Sequence, residues 1–364
     1  MTAIATPANM VANDNYNRQL AIWLLICAVT IYGMIVLGGV TRLTESGLSI
    51  VEWQPLMGAI PPTSEADWQE TFDKYKQFPQ YQKQNQDMTL DGFKRIFYYE
   101  YFHRLLGRLI GVLFFIPFVV FYFQKKISKP LLPKLIGLFV LGGLQGGLGW
   151  FMVKSGLVDS GLAGVSRVSQ YRLTAHLGLA VIIYGYMMWL VFGLLDNKDS
   201  RAIAINPATI SNGLKRFALT ISALLFLMIL SGGLVSGIRA GVGYNTFPLM
   251  NGYFFPPGLY GLEPAWTSMF EQNVTVQFNH RMFAYLMFIL ISCFAGFALY
   301  RRVQGAMRIG VYLLLVMLFI QVGLGITTLL LVVPVPLAAA HQGGAILLLT
   351  ASLFVSYQAL RSKQ

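Results

Sequence analysis

Charge is scarce in this chain. Only 12% of its 364 residues are Asp, Glu, Lys or Arg, about half the share usual in soluble globular domains. With 55% hydrophobic residues and a mean hydropathy of +0.59, that composition excludes a soluble fold. Cysteine is nearly absent. Cys27 and Cys293 both fall in long apolar runs, which excludes a loop disulfide or a CxxC metal site and leaves them to be read as small buried apolar residues. The opening stretch, MTAIATPANMVANDNYNRQL, has neither the basic start of a secretory signal nor the Arg-rich pattern of an organellar transit peptide. A bacterial inner membrane is the expected location.

What the chain has in abundance is apolar sequence. Eight runs approach the roughly 20 residues needed to cross a bilayer: about 20–40, 101–123, 131–153, 173–195, 214–237, 280–300, 307–333 and 338–359. They lack the alternation of a transmembrane barrel, so the expected fold is all-α, an integral membrane protein of eight transmembrane helices. The short connections after the second, fourth and sixth runs carry QKKISKPLLPK, DNKDSRAIAINPATISNGLKR and YRRVQGAMR, and the chain ends RSKQ. Short Lys/Arg-rich loops stay cytoplasmic, whereas the long loop after the first run can cross regardless of charge. Both termini are therefore expected in the cytoplasm. The net charge of +12 reads as membrane topology, and nucleic acid is not needed to explain it.

The chain also repeats itself. LGGVTRLTESGLSIVEWQPLMGAIPP after the first run is echoed by SGGLVSGIRAGVGYNTFPLMNGYFFPP after the fifth, EYFHR by QFNHR, LQGGLG by IQVGLG, and LTAHLG by AAAHQG. Two tandem parallel four-helix bundles are expected, residues 1–200 and 201–364, because an even number of spans inserts each half the same way up; this argues against an inverted-repeat transporter. The spacing between echoes drifts from 194 (Gly38 to Gly232) to 177 (His103 to His280) and 165 (His176 to His341). The drift lies mainly in loops, residues 63–99 above all, a segment expected to be extracytoplasmic cover with some amphipathic helix. GLAGVSRVSQ, before the fourth run, reads as the same kind of cover.

The histidines fall into this register. There are four in the chain; His103 and His280 open the second span of each half, and His176 and His341 lie near the start of the fourth. All four are expected near the extracytoplasmic end, and ionisable groups inside spans are functional candidates. Zinc or non-haem iron would want three or four ligands, and each half offers two imidazoles and at most one acid. Haem iron needs only two axial ligands, which facing bundle helices supply. Gly107, Gly178, Gly343 and Gly344 flank these histidines, and the small-xxx-small pairs Gly142/Gly146 and Gly143/Gly147 read as helix packing. Arg104 and Arg281 directly follow His103 and His280, and Arg42 and Arg239 sit in matching loops, with Arg108 and Arg172 nearby. Arginine is the residue suited to haem propionates. The halves differ at one position. Glu100 stands three residues before His103 and shares its helix face, whereas its counterpart is Gln277. This places a reactive site in residues 1–195 and a retained haem in residues 214–359.

With these residues in place, the sequence resembles the haem A synthases, and in GGVTRLTESGLSIVEWQPLMGAIPP it is similar to the branch found in mitochondria and their bacterial relatives. The resemblance spans nearly the whole chain and implies an oxidoreductase that oxidises the C8 methyl of haem O to a formyl group, giving haem A for cytochrome oxidase. It further implies that the substrate haem sits between His103 and His176 and a permanent haem b between His280 and His341, with Glu100 stabilising charge on the reacting carbon or deprotonating water. The partners it implies are haem O, membrane lipid, a haem O synthase and an electron acceptor or donor. Other branches carry extracytoplasmic cysteine pairs; this chain has none, which excludes a thiol role. Two rival readings are a di-haem cytochrome b, whose haems would lie near opposite leaflets, and a haem-binding transporter without chemistry.

Overall fold

In lipid each apolar run must satisfy its own backbone, and helices do so. The computed structural model describes residues 7–52, 58, 60–158, 166–196 and 210–361. The main helices are α1 (Pro7–Leu43), two short ones, α2 (Glu65–Lys76) and α3 (Pro79–Gln84), then α4 (Leu90–Phe123), α5 (Leu132–Lys154), α6 (Gln170–Leu194), α7 (Asn212–Gly237), α8 (Asn273–Tyr300), α9 (Gly305–Leu330) and α10 (Val335–Arg361), with single helical turns at Ala240–Val242, Ala265–Thr267 and Ser268–Glu271. Eight of the main helices, all but α2 and α3, are long and apolar enough to span a membrane, one for each expected run. The connection at 197–209, which carries the expected boundary at 200/201, lies outside the described residues, as do 1–6, 53–57, 59, 159–165, which take in the first half of the GLAGVSRVSQ loop, and 362–364.

Two helices start well before the expected runs: α1 at Pro7 and not near 20, and α4 at Leu90 and not near 101. Thr89 caps α4, its hydroxyl accepting from the Gly92 N–H at 3.2 Å, and the added turns are held by an aromatic cluster. Trp68, Phe72 and Tyr75 of α2 pack on Phe93, Phe97 and Tyr101 of α4. Ser64 and Asp67 form a capping box that starts α2. The expected amphipathic cover is therefore a small packed unit. Tyr75 at its centre has its hydroxyl pushed to about 12 by burial and donates to Gln80 Oε1 at 3.1 Å.

Helix contacts come in matching sets. α1 packs on α4 and α6, and α5 on α4 and α6; likewise α7 packs on α8 and α10, and α9 on α8 and α10. Between the sets, α1 meets α10, α6 meets α7, and α6 meets α10. Arg42 Nη2 donates to the Ser236 carbonyl at 2.8 Å, across 194 residues. Glu45 and Arg239, separated by the same interval, form an ion pair, and both have left-handed backbone, φ 57° and 58°. Apolar helices gain little from one another's hydrophobicity in lipid, so close approach and buried hydrogen bonds hold them, each bond worth roughly 0.6 kcal/mol on average. Ser222 of α7 bonds Ser352 (2.7 Å) and Ser356 (2.9 Å) of α10, and Tyr184 of α6 bonds Thr350 of α10 (2.8 Å).

The close-packed core lies toward one end. It gathers Leu24 and Ala28 of α1, Leu135 and Leu138 of α5, Val181 to Val191 of α6, Ile221 and Leu225 of α7, and Ile291 and Phe294 of α8. On α4 nothing is buried between Tyr101 and Phe114, and on α5 nothing beyond Leu138. The four histidines lie in the less filled end.

Candidate functional site

His103, His176, His280 and His341 sit on α4, α6, α8 and α10. Alternate spans run parallel, and each of these histidines lies in the first half of its helix, so all four share one end. His176 neighbours His103, and His341 neighbours His280.

Each imidazole rests on a glycine of a neighbouring helix. A methyl group built on Gly38 (α1) would meet His103 Cε1 at 2.9 Å; on Gly149 (α5), His176 Cε1 at 2.9 Å; on Gly232 (α7), His280 Cε1 at 3.4 Å; and on Gly325 (α9), His341 Cε1 at 2.9 Å. Gly38 and Gly232 are echoes of one another, as are Gly149 and Gly325. These are the functional glycines that the sequence reading missed; the echoed motifs GG and LQGGLG/IQVGLG contained them. The glycines expected to flank the rings do other work. Gly178 meets Leu230, Gly343 meets Tyr32, Gly344 meets Gln321 and Gly107 meets Met34, all contacts between spans. The pairs Gly142/Gly146 and Gly143/Gly147 are not packing surfaces: nothing lies within 4 Å of a methyl built on any of them. Cys27 is buried as expected, but Cys293 is exposed, because its face of α8 points away from the core.

The glycine cradles give a graded expectation. Gly38→Ala, Gly149→Ala and Gly325→Ala each force a ring to move, whereas Gly232→Ala at 3.4 Å asks for only a few tenths of an ångström. Haem-to-protein ratios in purified variants should fall for the first three and stay near wild type for Gly232→Ala; equal ratios in all four variants would contradict the cradle.

A glutamine backs the fourth helix of each half. Gln145 Nε2 donates to the His176 carbonyl at 3.1 Å and lies 3.4 Å from the ring Nε2. Gln321 Nε2 donates to the His341 carbonyl at 3.0 Å and lies 3.1 Å from Nδ1. Nδ1 of His103 and of His176 is buried with no hydrogen-bond partner. Among the described residues no three His, Cys, Asp or Glu side chains gather as a metal cluster. Neighbouring imidazoles with orphaned nitrogens and a glycine beneath each ring suit an iron whose equatorial positions are already taken.

Glu100 and Arg104 form a clasp. The Glu100 carboxylate is 2% exposed; Oε2 accepts from Ser49 Oγ (2.8 Å) and the Ile50 N–H (2.9 Å), and Oε1 accepts from Arg104 Nε (3.0 Å) and Nη2 (2.5 Å). Arg104 also donates to the carbonyls of Ile50 (2.7 Å) and Glu52 (3.1 Å). The second half repeats the clasp at echoed positions. Arg281 donates to the carbonyls of Tyr244 (2.5 Å) and Thr246 (2.8 Å), and Gln277 Nε2 to Tyr244 (3.0 Å). Both arginines expected at propionates thus fasten the loop that follows the first helix of their half. A cavity of about 180 Å³ opens beside the first clasp, lined by Val51, Arg104, Trp150 and Lys154 among others. Arg42 holds the end of α7 through Ser236 and Gly237, Arg239 pairs with Glu45, and Arg172 bonds the Phe151 carbonyl at 2.8 Å.

Fold and site together define a multi-pass membrane protein with two pairs of imidazoles at one end and a single buried carboxylate beside one pair. The family described as Cytochrome oxidase assembly protein, COX15-CtaA, matches residues 21–353, and the chain belongs to that family. It is 54% identical over 344 residues to a Heme A synthase of Nitrosospira multiformis, covering 94% of each chain. Against a Heme A synthase of Nitrosomonas eutropha it is 52% identical, covering 94% of this chain and 95% of the relative; against that of Parvibaculum lavamentivorans it is 49% identical, covering 91% and 92%.

Proposed function

We propose that this chain is the oxidoreductase that makes haem A, oxidising the C8 methyl of haem O to a formyl group for use in cytochrome oxidase. The substrate haem is assigned to residues 1–200, its iron between His103 and His176; a resident haem b is assigned to residues 201–364, between His280 and His341. The observation that carries this reading is the broken symmetry of the clasp, a carboxylate at Glu100 where the other half has the amide of Gln277. Since Gln277 and Arg281 fasten their loop without a negative charge, fastening alone does not require one at Glu100. A fixed carboxylate in a desolvated site stabilises positive charge developing on a carbon conjugated to the ring, or takes a proton from an attacking water. When bound, the haem of the second half supplies one-electron redox chemistry.

The propionates are assigned to Arg104, Arg281, Arg42 and Arg239. Nε of both Arg42 and Arg281 is buried with no hydrogen-bond partner, a donor left over from their contacts with main-chain carbonyls. Lys154 joins Arg104 at the cavity. We place the protein in the bacterial inner membrane with both termini cytoplasmic and the histidine end extracytoplasmic, on the positive-inside pattern of its short loops. The test is conversion: membranes of cells that make haem O but no haem A should gain haem A when this chain is expressed, and haem O left unchanged beside abundant protein would refute the assignment.

A further inference from the structure

Among the four histidines only His280 has a hydroxyl at Nδ1; Nδ1 of His341 faces the Gln321 amide at 3.1 Å, and Nδ1 of His103 and of His176 has no partner. Ser231 Oγ lies 2.7 Å from Nδ1 of His280. The same hydroxyl donates to the Met228 carbonyl one turn back at 2.8 Å. A serine hydroxyl has a single proton; with that proton on Met228, the oxygen faces the ring as an acceptor. Nδ1 must then carry the hydrogen, which leaves the lone pair of His280 on Nε2. Leu37 is the echo of Ser231, 194 residues earlier. It offers no hydrogen bond, and Nδ1 of His103 is buried with no partner. His103 and His280 otherwise share their surroundings: a glycine of the preceding helix beneath the ring and an arginine next in sequence.

We propose that Ser231 and Leu37 are the positioning residues that make one half retain its haem and the other exchange it. This rests on the haem assignment above. Ser231 holds His280 in the tautomer that presents Nε2 to iron and, by accepting the Nδ1 hydrogen, increases the electron donation of the ring. Outer-shell hydrogen bonds of this kind change metal affinity by roughly 10–100-fold. His103, lacking one, is a weaker and freer ligand, as suits a site whose occupant must leave as product. The same contact favours ferric over ferrous iron at the second-half haem and so lowers its midpoint potential.

The experiment compares wild type, Ser231→Ala, Ser231→Thr, Leu37→Ser and His280→Ala, each purified with its haems, by redox titration and by haem retention during prolonged detergent washing. Ser231→Ala should raise the midpoint potential of haem b and weaken its retention roughly tenfold or more. Ser231→Thr, which keeps the hydroxyl, should restore both. Leu37→Ser should slow the loss of the haem bound in the first half. If Ser231→Ala matches wild type in potential and retention while His280→Ala loses haem b, the role of Ser231 is overturned and the haem site stands. If His280→Ala itself keeps haem b, the haem assignment fails.

Discussion

Glu100→Gln should leave a folded protein that retains haem b and forms haem A at least about 100-fold more slowly, the lower end of what a positioned acid or base contributes. The substitution is mild in shape, and the second half keeps its echoed loop with an amide at this position, though by the opposite polarity: Glu100 accepts from Ser49 and the Ile50 N–H, whereas Gln277 donates to the Tyr244 carbonyl beside Arg281. Glu100→Ala is harsher. It leaves the Arg104 guanidinium without its partner, and the side chains of this pair are only 17% and 3% exposed. Breaking a pair this buried costs about 3–5 kcal/mol, so lost activity in the alanine variant alone mixes catalysis with a loosened loop. The informative contrast is Gln against Ala, measured as haem A formed per haem b retained. Full activity in Glu100→Gln would reduce the carboxylate to a loop fastener.

Removal of a ligand should divide the protein along its repeat. His280→Ala and His341→Ala should each lose haem b, with occupancy falling by more than the roughly 10–100-fold that outer-shell changes produce. His103→Ala and His176→Ala should keep haem b and lose the substrate haem together with conversion. The expectation rests on the proposed pairing within halves, in which His176 neighbours His103 and His341 neighbours His280. Core packing should survive all four changes, since the close-packed core of Leu24, Val181, Ile221 and Ile291 lies toward the other end. Loss of both haems from any single variant, with the protein still folded by circular dichroism, would contradict separate sites.

Much of this organisation was legible in the sequence because lipid imposes it. Eight apolar runs became eight helices, and the position of the histidines within the echoed motifs puts all four at one end. What periodicity could not supply was contact between helices. Apolar spans carry residues of similar hydrophobicity on every side, so the pattern does not say which glycine lies under which ring; Gly38, Gly149, Gly232 and Gly325 emerge only when α1, α5, α7 and α9 are in place. For the same reason Gly142/Gly146 and Gly143/Gly147 read as packing pairs and turned out to border open space. The clasp was hidden differently. Glu100 and Arg104 were visible as a charged turn, but their partners are main-chain groups of residues 50 and 52, which carry no residue-type signal. The start of α4 at Leu90 depended on an aromatic cluster spread over 68–101, a tertiary contact that an apolar window does not register.

The central claim is that one half holds a haem being modified and the other a haem that stays. Its most direct measurement is the identity of the haems extracted from the wild-type protein, purified from cells that also make haem O and resolved by chromatography and mass. The account predicts haem b together with haem O, haem A or a partly oxidised haem between them. Haem b alone would indicate an electron-transfer cytochrome, and a protein without haem would contradict the reading of all four histidines.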